Sequence, residues 1–202
     1  MSGSAAKMRL ARRGFLGLLG GALVMPGAAR AATPEDYVQT VAKDVMALAS
    51  SGLGKKPMRV KFNAVISKYT DIRQISMRAL GTFQKDLQPG DKDDFIKLSV
   101  AYVSAFFVYY ADEFQGAVFD VKSMSEQGKF ITIIGDVRTR SGGSSAVRWR
   151  LVAAGNGYRL HDINVRGVWL SLALKDRFTD ILKRSKGNFE PLFAELRSAE
   201  DW

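Results

Sequence analysis

The spacing of apolar side chains changes twice along this chain, and that constrains its fold more than any other feature. Up to about residue 110 they recur every three or four positions; between residues 117 and 165 they alternate; after that the helical spacing returns. A chain with this order of periods must place helices before and after one run of strands.

Thr33-Pro34-Glu35-Asp36 reads as a helix opening, since Thr33 can cap free amides, Pro34 suits the first turn, and the two acids face the positive end of the helix dipole. Tyr37, Val41, Val45 and Leu48 then repeat until Ser51-Gly52 and Gly54 stop the run. A second amphipathic stretch carries Phe62, Val65, Ile66 and Tyr69. A third, capped at Thr70 or Asp71, carries Ile72, Ile75 and Leu80. After Pro89-Gly90, the acids Asp91, Asp93 and Asp94 open a long helix bearing Phe95, Leu98, Tyr102, Phe106 and Tyr110. Residues 101–110 are apolar on nearly every side, so this part is expected to be buried all round or to border a greasy cavity.

Phe119 and Val121 alternate with polar neighbours, as do Ile131, Ile133 and Val137 beyond a turn at Gly128. The loop Ser141-Gly142-Gly143-Ser144-Ser145 has hairpin character. Past it, Val147, Trp149 and Leu151 share one strand face, with Arg148 and Arg150 on the other. Gly155-Asn156-Gly157 turns the chain into Tyr158, Leu160, Ile163 and Val165. The pattern predicts four consecutive antiparallel strands with one apolar and one polar face. A helix over residues 168–182, with Leu172, Phe178, Ile181 and Leu182 inward, and a short last one with Phe189, Leu192, Phe193 and Leu196 complete an α+β cone: a curled four-stranded antiparallel sheet packed against N- and C-terminal helices.

Residues 1–31 hold five basic residues (Lys7, Arg9, Arg12, Arg13, Arg30) and no acid, then an apolar run over residues 15–25, Pro26, and the small-residue end Ala29-Arg30-Ala31. This is the layout of a cleaved export signal, too short to span a bilayer, with cutting expected after Ala31. Arg12-Arg13-Gly14-Phe15-Leu16-Gly17 resembles the twin-arginine signal; a Sec signal with two neighbouring arginines is the other reading. No other window is expected to reach membrane-spanning length. Without the leader, 25 basic residues face 20 acidic ones, so residues 32–202, read as a single domain, are only moderately cationic. With no basic, aromatic recognition module, that balance argues against nucleic acid. The absence of cysteine excludes disulfides, thiol catalysis and cysteine-ligated zinc.

The segment Tyr158-Arg159-Leu160-His161-Asp162-Ile163-Asn164-Val165-Arg166-Gly167-Val168-Trp169-Leu170, leading to Arg177-Phe178, resembles the MlaC/Ttg2D (toluene-tolerance) family. Tyr69-Thr70-Asp71-Ile72, Leu80-Gly81, Asp94-Phe95, Phe106 and Tyr109 or Tyr110 extend the resemblance across residues 34–197. It implies an NTF2-like cone that holds phospholipid in the periplasm and exchanges it with an MCE-type inner-membrane ABC transporter, and with an outer-membrane lipoprotein complex, as a monomer and without cofactor, metal or catalysis. A related carrier accompanies hopanoid synthesis, so a hopanoid is an alternative cargo. Trp169 stands where the family usually has Ser, and Lys175 near where Arg is expected.

On this reading the walls of an apolar cavity are Ile131, Ile133, Val137, Val147, Trp149 and Leu151 from the strands and Tyr102, Phe106, Tyr110, Leu172 and Phe178 from the helices, with Val168 and Trp169 at the mouth. An ordinary packed core fits the same pattern. Arg138 and Arg140, set opposite Arg148 and Arg150 across the hairpin, together with Lys175, are candidates for docking headgroups or a transporter; solvated strand charges fit as well. The rival is an isomerase or dehydratase acting on a small apolar molecule through His161 and Asp162, although a structural hydrogen-bonding role suits Asp162 better.

Overall fold

The structure is a computed structural model that describes residues 32–202. The expected export signal lies outside the described residues. The described residues form six α-helices: α1 (Pro34–Ala49), α2 (Lys55–Tyr69), α3 (Ile72–Ala79), α4 (Lys92–Tyr110), α5 (Leu170–Arg184) and α6 (Glu190–Ser198). Between α4 and α5 runs a sheet of five strands: β1 (Val118–Gln127), β2 (Phe130–Arg138), β3 (Ser144–Ala154), β4 (Gly157–Val165) and β5 (Val168–Trp169). Their spatial order is their chain order, and every neighbouring pair is antiparallel.

The start signals act as their chemistry dictates. Thr33 and Asp36 form a reciprocal capping box on α1, the Asp36 amide donating to Thr33 Oγ1 at 3.1 Å and the Thr33 amide to Asp36 Oδ2 at 3.2 Å. Asp71 caps α3 by accepting from the Gln74 amide at 3.1 Å.

Five strands replace the four expected. Arg166 and Gly167 both take positive φ, 52° and 89°, which lets a two-residue turn pair Val165 with Val168. Val168 and Trp169 are therefore a short strand rather than the first turn of a helix, and α5 begins at Leu170.

The apolar face of the sheet is covered by α1. Ile133, Val137, Val147, Trp149 and Leu151 pack with Phe119 against Val38, Val41 and Ala42. Gly135 shares that face between Ile133 and Val137, and the Phe119 ring occupies the space over it. A Cβ there would lie 2.3 Å from the Asp120 carbonyl oxygen and 2.6 Å from the Phe119 ring. A second cluster joins α2, α3, α4, α5 and α6 around Phe95, Phe178, Leu182, Leu192 and Leu196. Val45, Val65 and Phe114 pack against both clusters and form the seam between them.

Helix α4 departs from expectation. Phe95, Ser99, Val103 and Ala105 are buried, but the side chains of its last turns are not. With its flanking turns, the helical run Pro89–Phe114 is also long and apolar enough to cross a bilayer by length and composition, although its sequence was not expected to reach that length.

Candidate functional site

The residues expected to line one cavity fall into three places. Ile133, Val137, Val147, Trp149 and Leu151, with Ile131 partly buried beside them, belong to the cluster under α1. Tyr102 and Phe178 belong to the helical cluster, their ring centroids 6.1 Å apart, and Tyr102 also meets Trp202 at 5.2 Å. Burial, then the nearby Glu195, raises the Tyr102 hydroxyl above its ordinary range. Phe106, Tyr110, Val168 and Leu172 lie on the surface, 48%, 38%, 58% and 51% exposed. The strand set thus meets α1, with Tyr69 and Val65 of α2 beside it, instead of facing Tyr102 and Phe178.

Trp149 packs edge-on against Phe119 at 5.6 Å, and its indole N–H is buried without a hydrogen-bond partner among the described residues. An orphaned buried donor costs roughly 1–3 kcal/mol. It is therefore a place where an acceptor brought by a ligand would find a ready bond.

The junction from β4 to α5 is held by polar contacts. Asp162 is buried; its Oδ1 accepts from the Ser171 amide at 3.1 Å and the Ile163 amide at 3.0 Å, and its Oδ2 from the Ser171 hydroxyl at 2.5 Å. The position before α5 is Trp169, which has no capping oxygen, so the carboxylate of β4 caps the helix from outside it. Asn164 does the same for the turn, accepting from the Gly167 amide at 3.1 Å. His161 makes no bond to Asp162 that would form a catalytic pair. It sits at a β-bulge, where Arg150 is opposite Asp162 and Leu151 opposite Leu160, and its ring lies 4.9 Å from Phe130. Burial, then Arg78, pushes its pKa below the usual histidine range against the opposing pull of Asp162.

The basic residues do not form the facing set expected. Arg138 is paired in register with Ser144, and Arg148 with Ile134, so the arginines are spread along the ribbon. Arg138 is bound to Asp120 at 2.6 Å. Arg140 lies beyond the end of β2, its stem against Gly116. The Arg150 guanidinium stacks 3.8 Å from the Trp169 ring, with Phe130 5.4 Å away. Lys175 is exposed, with its stem against the turn at Gly81. Arg148 is exposed on the sheet face away from α1.

Sequence reasoning missed an open groove of about 510 Å³ between α1 and β1, lined by Ala42, Met46, Ala117, Val118 and Phe119 among others. The only signal for it is the pair Ala42 and Met46 on the sheet-facing side of α1, next to a short side chain at Ala117. Among the described residues no group of three or more His, Asp or Glu is placed to hold a metal ion.

This arrangement, a meander sheet under one helix and beside a helical cluster, defines an α+β fold already seen in a solved structure, the phospholipid-binding protein from Ralstonia solanacearum in complex with a phospholipid. The two share 19% identity with a TM-score of 0.71, and the match covers 81% of this chain and 94% of that one. A comparison with curated proteins found no match. The sequence fits the model of the family described as MlaC protein over residues 35–198, and the chain belongs to the MlaC family.

Proposed function

We propose that this chain is a periplasmic phospholipid carrier. In this reading residues 1–31 are its export leader and residues 32–202 a single lipid-binding domain of cone shape, NTF2-like, acting as a monomer. It moves lipid between the outer and inner membranes by docking on an MCE-type ABC transporter and an outer-membrane lipoprotein complex. The observation that carries the reading is family membership across residues 35–198, supported by likeness of fold to a protein that holds a phospholipid.

The physical need fits the fold. Exposing about 30 chain methylenes to water costs on the order of 20 kcal/mol, so a carrier must hide them. The two apolar clusters meet along Val45, Val65 and Phe114, with the strand set on one side and Tyr102 and Phe178 on the other. Acyl chains entering along this seam would replace protein contacts with lipid contacts and bring ester oxygens within reach of the Trp149 N–H. Enzymatic chemistry has less support, since Asp162 is committed to capping α5 and His161 to packing on Phe130.

The test is mass spectrometry of lipid extracted from the protein expressed at full length and purified under non-denaturing conditions. About one phospholipid per chain is expected; a hopanoid would change the cargo but not the role. A protein that carries no lipid and takes up none from vesicles would overturn the reading.

A further inference from the structure

Eight large apolar side chains are exposed among the described residues, and five of them share one end of the domain. Phe106, Tyr109 and Tyr110 cap the last turns of α4, Tyr109 being 64% exposed, and their rings pack on one another with centroids 4.9 Å apart. Val168 and Leu172 stand on β5 and the first turn of α5. The two groups are tied together by Arg166 in the turn before β5. Its guanidinium reaches Glu113, three residues past Tyr110, at 3.9 Å, and also donates to Ser145 Oγ at 3.0 Å.

The same end carries free cations. Arg148 is the cross-strand neighbour of Asn164, which pairs in turn with Trp169, so it lies in the row that ends at Trp169, on the sheet face opposite to the row of Val147, Val165 and Val168. Arg140 lies against Gly116, just beyond the turn that follows α4. Neither forms an ion pair among the described residues, whereas Arg138 and Arg166 are matched by Asp120 and Glu113.

We propose that this end is the surface by which the protein seats itself on an anionic phospholipid bilayer. Phenol rings fit the boundary between headgroups and acyl chains, with the ring in the apolar layer and the hydroxyl in the polar one. Unpaired guanidinium groups near the turns that follow α4 and β4 complement lipid phosphates. The aliphatic Val168 and Leu172 add apolar area without a polar group to desolvate. A solvated surface gains nothing from this grouping, since exposed apolar side chains are ordinarily scattered. The inference rests on the carrier reading for its purpose, that lipid is transferred where the protein meets a membrane, but the two can fail separately.

Flotation of the purified full-length protein with phosphatidylglycerol–phosphatidylethanolamine vesicles tests it, with phosphatidylcholine vesicles as the second arm. Binding to the anionic vesicles is expected to exceed that to phosphatidylcholine and to weaken with salt. Tyr109→Asp and Arg148→Glu should each lower it about fivefold or more, while Tyr109→Phe retains it. Lipid extracted from Tyr109→Asp should match the parent protein, because Tyr109 points away from both cores. Failure to float with anionic vesicles, equal binding to both vesicle types, or Tyr109→Asp floating like the parent would overturn the proposal. A patch that serves a protein partner instead gives the first of these outcomes. Flotation without any extractable lipid would sink the carrier reading and leave the docking surface standing.

Discussion

The strands of the sheet carry apolar side chains on one face, and the C-terminal turns of α4 carry them on nearly every side. Yet it is the sheet's that are closed off and buried and those of α4 that are left exposed. In the sheet, alternation sends every second side chain to the same face, and α1 with Tyr69 of α2 covers it; Ile133, Leu151 and Val38 end up with no exposed surface. In α4, apolar residues point all round the helix, and α2, α3 and α6 can cover only part of it. Phe106, Tyr109 and Tyr110 are left outside. The lesson is that a period assigns a residue to a face, while an all-round apolar helix says nothing about which side will find a neighbour.

The contrast can be broken most forcefully on the closed side. Gly135→Val would drive a side chain into the Phe119 ring and the Asp120 carbonyl, and a loss of about 3 kcal/mol or outright failure to fold is expected in denaturant melts. A mild effect would mean that Phe119 is free to move and that the closed half is looser than its packing implies.

At the joint between the sheet and α5, Asp162→Ala removes the oxygens that satisfy Ser171 and the start of α5. A loss of about 2 kcal/mol is expected, with Asp162→Asn milder because one amide oxygen still accepts. Thermal unfolding of the two variants side by side gives the ranking, and the reverse order would remove the capping role.

The smallest effect is expected at the rim of the closed region, where Asp44 accepts from the Tyr69 hydroxyl at 2.6 Å and Lys68 at 3.1 Å. These bonds, Tyr69's first, hold the Asp44 carboxyl below the usual carboxylate range. A depressed folded pKa stabilises the protein fully above the unfolded value near 4 and ceases to do so as pH falls through the folded one. Asp44→Asn should therefore cost under about 1 kcal/mol at neutral pH, because the carboxylate is partly solvated, and should flatten the acid side of the stability profile. Urea melts between pH 2 and 7 would show it; identical acid limbs would contradict it.

Much of the fold was legible because local chemistry and global placement agree in it. Thr33 and Asp71 cap the helices they precede, and the alternation in Val147, Trp149 and Leu151 names the buried face. The fifth strand was hidden because Arg166 is a poor advertisement for a positive φ; only Gly167 hinted at a turn, and the apolar run after it reads equally well as a helix. The candidate site was less legible. Periodicity could mark Ile133 or Phe178 as inward but not say which element each would face, and the choice of α1 as cover for the sheet is a long-range matter that no local window contains. The stacking of Arg150 on Trp169 was out of reach for the same reason: it needs the strand order and the β5 pairing together.

Because each strand of the sheet lies beside the one before it in the chain, the sheet can zip up hairpin by hairpin, each step closing only a short loop. The costly step is the return of α1, made long before the strands, to roof the finished ribbon. Until that helix arrives, the oily side of the ribbon lacks its main roof, so the first helix of the domain is expected to be among the last to dock.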